Sequence, residues 1–287
     1  VNHPAELKVH QYLSNLKFGD STLSEEVIEQ IVEDVRNALV KQFVEKRDGP
    51  FKLRMSNIGR SYCQLWFDKN KPETAIPHST NFVINMMIGD IVEAVFKGLL
   101  VQSGVAFENG TNVTMDLGDG CVIHGTPDLI IDGRVDDVKS ASPWSYENKF
   151  KDYDTLADKD SFGYVAQLAG YSKAAKVKPG GWWVINKATG EFKYVEATSI
   201  PVEDTLQSTK QLHKELEANE FRRCYDAIEE TYRKKPTGNL VLGRECSWCS
   251  YRYACWPGLE ERPSIPSKAE NPPMVSYVKI VSKDVHE

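Results

Sequence analysis

The chain has 287 residues, which suits one large domain or a core with an appended helical piece. With 41% hydrophobic and 26% charged residues the composition is that of an ordinary globular protein, and no apolar run approaches the roughly 18 residues a membrane span needs. The formal net charge of −6 argues against a protein whose only task is to coat nucleic acid, so any positive potential must be local. The chain opens at Val1 and not at Met, as a trimmed product would, and with no signal-peptide pattern. The expected setting is cytoplasmic, in a bacterial cell or in the host of a phage, with no membrane association.

Residues 1–51 read as a polar helical region. Thr22 followed by Glu25 resembles a capping box, and Leu23, Val27, Ile28, Ile31, Val32, Val35, Ala38 and Leu39 then recur at helical spacing to about Phe43. Residues 52–67 carry SNIGRSYCQLWF, with Cys63 inside. A long apolar helix is expected over 81–101, where Gly89 and Glu93 lie one above the other. Asp90 and Glu93 are the acids of that span, and the helix alone would leave Glu93 at its surface. Strands are expected over 111–117, 121–131 and 134–140, then a loop over 141–160 and a helix over 161–177 holding Gln167 and Tyr171. Lys178-Pro179-Gly180-Gly181 ends that helix, and WWVINK and EFKYVEA form another strand pair. A charged helix is expected over 202–233, and the segment rich in Pro and Ser over 262–275 reads as a tail.

The stretch 122–140 carries most of the chemistry. Asp132-Gly133 favours a type I′ turn. Counting outward from it sets Ile131 against Arg134, Ile130 against Val135, and Asp128 against Asp137. Opposed residues share a face with Cβ atoms roughly 4.5–5.5 Å apart, and Lys139, two residues on, points the same way. Paired carboxylates repel and suit a sheet poorly, whereas a divalent cation resolves the conflict with oxygen ligands. A solvated, ordinarily charged hairpin face is the competing reading. Asp136 points the other way and is expected to be solvated.

Of six cysteines, three crowd into C-S-W-C-S-Y-R-Y-A-C as Cys246, Cys249 and Cys255. In a reducing compartment such clustering suggests metal more than disulfide. Three thiolates do not complete a four-coordinate site, and Cys63 is the candidate for the fourth. Zinc is one occupant of such a set and an iron–sulfur cluster is another. Cys121 and Cys224 read as small buried hydrophobes.

Together these segments resemble the PD-(D/E)xK superfamily, and within it the RecB-like nucleases that carry an iron–sulfur cluster, such as the CRISPR-associated RecB-family exonucleases and the nuclease domain of AddB. The order Cys63, Gly89 to Glu93, G-T-P-D ending at Asp128, D-V-K over 137–139, Gln167 to Tyr171 and the three late cysteines matches that family across about 52–258. Glu93 stands where His is usual in the family, and Tyr62 and Gln64 replace the usual proline and basic residue beside the first cysteine.

The resemblance implies an α/β restriction-endonuclease-like fold with a central mixed sheet flanked by helices. The core would span 52–258, preceded by 1–51 and followed by a tail over 259–287. It implies Mg²⁺ or Mn²⁺ held by Glu93, Asp128, Asp137 and the Val138 carbonyl, with Lys139 orienting water and Gln167 and Tyr171 placing the substrate strand. It also implies a [4Fe–4S] cluster on Cys63, Cys246, Cys249 and Cys255. The implied activity is a DNA exonuclease, most often 5′→3′ on single strands, in recombination or repair, with a partner protein of that pathway possible. Trp144, Tyr146, Phe150 and Tyr153, interleaved with Lys149 and Lys151, would then stack bases while the lysines follow phosphates. Two alternatives are a structure-selective or end-trimming endonuclease of the same fold and a non-catalytic DNA-binding or assembly subunit with a structural cluster.

Overall fold

The computed structural model describes residues 3–19, 22–45 and 49–281. The chain runs through α1 (Pro4–Lys17), α2 (Glu25–Phe43), α3 (Tyr62–Asn70) and α4 (Thr80–Gln102). Strands β1 (Glu108–Asn109), β2 (Val113–Asp116), β3 (Val122–Gly125), β4 (Leu129–Ile131) and β5 (Arg134–Ala141) follow. Short helices α5 (Pro143–Asn148) and α6 (Tyr153–Asp158) lead to α7 (Tyr164–Ala175), β6 (Lys178–Asn186), β7 (Phe192–Glu196) and α8 (Val202–Ala218). The remainder is β8 (Ile228–Tyr232), β9 (Lys235–Val241), α9 (Arg244–Ser247), α10 (Arg252–Cys255), β10 (Glu260–Pro263) and β11 (Met274–Lys279). No helix among the described residues is long and apolar enough to cross a membrane.

Two compact units result, Val1–Gly59 with Ser79–His213, and Arg60–His78 with Lys214–Glu287. That division differs from one broken at residues 51 and 258. The N-terminal helices join the first unit because Ala5 and Val9 of α1 enter the same apolar cluster as Leu129, Ile131 and Val138 of the sheet. Helix α2 lies on α4, where Gly98 leaves room for the Ile31 side chain. Its cap is Ser24 and not Thr22: the Ser24 hydroxyl accepts from the Val27 amide at 3.4 Å. Of the expected N-terminal region and tail, residues 1, 2, 20, 21, 46–48 and 282–287 lie outside the described residues.

The first unit is a mixed α/β body around a five-stranded sheet in the order β1-β4-β5-β6-β7. Only the β5–β6 pair is parallel among these neighbours, and its crossover carries α5, α6 and α7. Parallel strands need such a connection, and it leaves them covered on both faces. Val138 of β5 clusters with Phe96 and Leu100 of α4 on one face. On the other face, α7 lies against β5 and β6. A separate ribbon pairs β2 with β3.

This two-sided cover overturns the expectation for Asp136. The residue is 1% exposed and its carboxylate accepts from the Gly181 amide (2.8 Å), the Trp183 indole (3.2 Å) and the Tyr194 hydroxyl (2.9 Å). The segment Lys178-Pro179-Gly180-Gly181 is likewise the start of β6 and not a helix stop. Helix α7 ends earlier, with Lys176 in the left-handed region at φ 58°. Pro179 sits where the β5–β6 register shifts, which is where a strand tolerates a missing donor.

The second unit centres on a four-stranded antiparallel sheet in the order β10-β11-β9-β8. The expected helix over 202–233 therefore ends at Ala218, and its last part is the β8–β9 hairpin. The expected tail likewise supplies β10 and β11. Helix α3 belongs to this unit, with Phe67 stacked on Tyr251 at 5.2 Å and the Tyr251 hydroxyl bonded to Asp68 at 2.5 Å.

Candidate active site

Two of the pairs read from the sequence are observed, Ile130 opposite Val135 and Ile131 opposite Arg134, and Leu129 opposes Asp136, while Asp128 is not paired with Asp137 in the ladder. Asp132 and Gly133 both have positive φ, 50° and 69°, as a type I′ turn requires. Asp128 stands one residue beyond the part of β4 that pairs with β5. Its Oδ2 accepts the Val138 amide at 2.8 Å. In an extended strand the N–H and C=O of one residue point to the same side, so the Val138 carbonyl is turned toward Asp128 as well.

Asp137 is 2% exposed and ion-paired with Lys139, yet its Oδ1 has no hydrogen-bond partner. Glu93 arrives from α4. One turn earlier Gly89 brings the helix close to β5, since a Cβ there would already touch the Ser140 hydroxyl at 3.4 Å. The Glu93 carboxylate is held by Lys97 at 2.6 Å. On α7, the Gln167 amide reaches the Tyr171 hydroxyl at 3.5 Å, and the Tyr164 ring lies 5.2 Å from the Lys139 ammonium.

The electrostatics show that these groups feel one another. Burial pushes the Asp137 carboxyl up to about 8, with the charges of Asp128 and Glu93 adding to the rise and Lys139 opposing it. Burial and the Asp128 charge also raise Glu93, against Lys97. For Lys139 burial acts downward but is outweighed by Asp137 and Asp128, and it stays protonated. Tyr171 is pushed up to about 12, by burial first and then, despite the Gln167 bond, by the nearby carboxylates. Glu93, Asp128, Asp137, Lys139 and Tyr171 thus share one locality, with Gln167 beside it.

Among the described residues no three His, Cys, Asp or Glu side chains are already gathered around a metal-sized point. Two ammonium groups, Lys97 and Lys139, sit with the carboxylates instead. The donor set still fits a hard cation. Three carboxylates outnumber the two ammoniums, and one buried oxygen of Asp137 lacks a partner, a cost that an ion would remove. Lys97 and Tyr164 did not figure in the sequence reading. Lys97 was legible as the i+4 partner of Glu93, and Tyr164 as the residue one turn before Gln167.

The segment 141–160 departs from expectation. It is two short helices, not a loop, and Tyr146, Phe150 and Tyr153 are buried. Lys149 is buried too, 4.4 Å from the Tyr164 ring and 4.7 Å from Phe162, while Lys193 stands 4.0 Å over Tyr146. These rings cover the core and surround intramolecular cations, so Tyr146 and Lys149 are not placed to meet a strand. Trp144 and Lys151 remain exposed.

In the second unit one small cavity is lined by Cys63, Cys246, Cys249 and Cys255, together with Phe67, Tyr251 and Trp256. Cys63 lies in the first turn of α3, Cys246 lies in α9, and Cys255 ends α10, while the Cys63 thiol donates to the Ser61 hydroxyl at 3.7 Å. Arg223 ties the last of these turns down through two bonds to the Cys255 carbonyl, at 3.0 and 2.8 Å. Burial pushes the Cys246 thiol up to about 11 and raises Cys249 and Cys255. Cys224, read as an inert hydrophobe, instead bonds Cys63: the Cys63 amide donates to its sulfur at 3.1 Å. The Cys224 thiol beside it draws the Cys63 thiol down to about 6, against burial, and the same neighbour raises Cys224. Four cysteines line this cavity, a residue type that suits soft metals, but among the described residues no three of them are gathered closely enough to hold an ion.

No protein-family model matches the chain, and no curated protein matches it. Among solved structures the chain is similar to the crystal structure of SSO0001, at 12% identity and a TM-score of 0.42, over 82% of this chain and 96% of that one. It is also similar to an alkaline exonuclease, LHK-Exo, from Laribacter hongkongensis, at 11% identity and a TM-score of 0.35, over 56% of this chain and 89% of that one. At this level of similarity neither bears on what the chain does, and the likeness goes no further than the arrangement of its strands and helices.

Proposed function

We propose that the chain is a metal-dependent deoxyribonuclease that hydrolyses phosphodiester bonds from DNA ends, in the 5′→3′ direction on single strands, in recombination or repair. The observation that carries this reading is the meeting of Glu93, Asp128 and Asp137 with Lys139 at a strand end, with a buried Asp137 oxygen unpartnered. Glu93, Asp128, Asp137 and the Val138 carbonyl would hold Mg²⁺ or Mn²⁺, which when bound polarises a phosphoryl oxygen and lowers the pKa of water. Lys139, protonated and buried, keeps a positive charge where negative charge builds on the phosphate and orients the attacking water. The Val138 amide fixes the Asp128 carboxylate in one orientation. Gln167 and Tyr171 position the strand from α7. In the second unit Cys63, Cys246, Cys249 and Cys255 would carry a [4Fe–4S] cluster, with zinc as the rival occupant.

The test is an assay on end-labelled single-stranded DNA with Mg²⁺ or Mn²⁺, paired with iron and zinc analysis and an absorption spectrum taken without air. The expected result is trimming from the 5′ end, no cutting of a closed single-stranded circle, and loss of at least about 100-fold in Asp137→Asn and Lys139→Met. Cutting of the circle would favour the endonuclease alternative. DNA binding without any cleavage would overturn the catalytic reading in favour of an assembly subunit.

A further inference from the structure

The proposed ligand set uses four of the six cysteines. Cys121 is buried in the first unit. Cys224 is different, because it lies against one of the four. The Cys63 amide donates to the Cys224 sulfur at 3.1 Å, so that sulfur lies against the Cys63 backbone. Their backbones are brought together by contacts that do not involve sulfur. The Tyr62 hydroxyl donates to the carbonyls of Glu220 (2.5 Å) and Glu215 (3.3 Å), and the Trp66 indole donates to Asn219 (3.2 Å). Phe221 packs against Trp66 and Phe67, with ring centroids 4.8 and 5.3 Å apart. The stretch carrying Cys224 is therefore docked on α3, which keeps the two cysteines neighbours, as a disulfide requires. Cys249, the obvious rival through its two-residue spacing from Cys246, has its sulfur turned to the Tyr251 amide at 3.5 Å.

We propose that Cys63 and Cys224 form a disulfide when no metal group holds Cys63, and that this oxidation withdraws Cys63 from the cysteine-lined cavity. With a small-molecule disulfide as oxidant, the Cys63 thiolate attacks one of its sulfurs and expels the other as a thiolate. Cys224, on losing its proton to that leaving thiolate or to water, then attacks the Cys63 sulfur of the mixed disulfide and expels the second thiolate. Two cysteine thiols are oxidised to one disulfide and the oxidant is reduced to two thiols. The pair would thus block metal loading until it is reduced. The disulfide rests on the contact between the two cysteines alone, so it does not depend on whether iron or zinc occupies the cavity.

The experiment uses the full chain, stripped of metal by a chelator under reductant and then exposed without air to oxidised glutathione. Peptide mapping under non-reducing conditions is expected to yield a Cys63–Cys224 linked pair with the loss of two titratable thiols. In Cys224→Ser, Cys63 is expected to remain as a mixed disulfide with glutathione. The oxidised wild-type protein should then take up at least about tenfold less iron on reconstitution than its reduced form, and dithiothreitol should restore uptake. A Cys246–Cys249 link, or Cys63 and Cys224 both still open to alkylation, would overturn the proposal. Equal iron uptake by the linked protein would overturn the block on loading. A reduced protein that takes up neither iron nor zinc would instead remove the metal reading and leave the disulfide map to decide this one.

Discussion

Asp136 and Asp137 are neighbours on one strand with opposite chemical fates. The first is met by three donors and the second keeps an oxygen without one. A buried polar atom without a partner is costly, which is why the unmet oxygen points to a ligand and the met ones point to architecture. Burial raises the Asp136 carboxyl to about 6 from 3.8. A folded-state value above the unfolded one means the folded protein binds the proton more tightly. The stability this contributes is fully present below about pH 3.8 and is lost as pH rises through about 6, in all on the order of 3 kcal/mol. Asp136→Asn should therefore cost most near about pH 4, and its cost should shrink by up to about 3 kcal/mol by about pH 7. Urea unfolding of both proteins across that range checks this, and a constant difference would show that Asp136 does not titrate there. From the sequence the alternation of faces along β5 was legible. That the far face would be roofed by Trp183, Tyr194 and α4 was not, because alternation says which way a side chain points and nothing about what it meets.

Elements whose boundaries carry a dedicated residue were legible, and those without one were not. The turn at Asp132-Gly133 announces itself because both positions need positive φ and both residue types accept it. The β8–β9 turn is made by Arg233 and Lys234, also at positive φ, 50° and 64°, residues that give no such signal. The run of charge around it consequently reads as more helix. Gly180 misled in the opposite sense. In β6 it permits close approach and does not end a helix: an added Cβ would lie 1.9 Å from Asp136 Oδ1 and 2.8 Å from the Val135 carbonyl. Gly180→Ala should destabilise the first unit by about 3 kcal/mol or more, through forced separation of β5 and β6. Gly190→Ala, at φ 77° with open space around it, should cost only about 1 kcal/mol from backbone strain. Denaturant titrations followed by the fluorescence of buried Trp182 and Trp183 separate the two, and equal costs would mean that β6 yields to the extra carbon.

At the scale of the whole molecule, the candidate site was legible where chain order alone had to be matched. Two carboxylates and a lysine on one hairpin, and four cysteines in a fixed order, do not depend on knowing the packing. The division into units was not legible, because α3 and the strands of its sheet are separated in sequence by most of the first unit. If the four cysteines hold a metal group, that group joins α3 to the 246–255 segment, and its loss should weaken the second unit. Cys249→Ala should lose bound metal and colour and lower unfolding stability by several kcal/mol. Cys121→Ala should leave metal content unchanged. Calorimetry with metal analysis reads both, and a Cys249→Ala protein with undiminished metal would remove that cysteine from the ligand set.

The second unit is built from chain segments made at different times. Hydrogen bonds join Cys63 to Cys224, 161 residues later, and Asp68 to Tyr251, 183 residues later. At roughly 5–20 residues per second a ribosome needs about 10–40 s to supply those partners. For that interval Trp66 and Phe67 lack Phe221 and Tyr251, the aromatic rings they later pack against. The time this helix waits for those partners is set by translation speed across the intervening sheet.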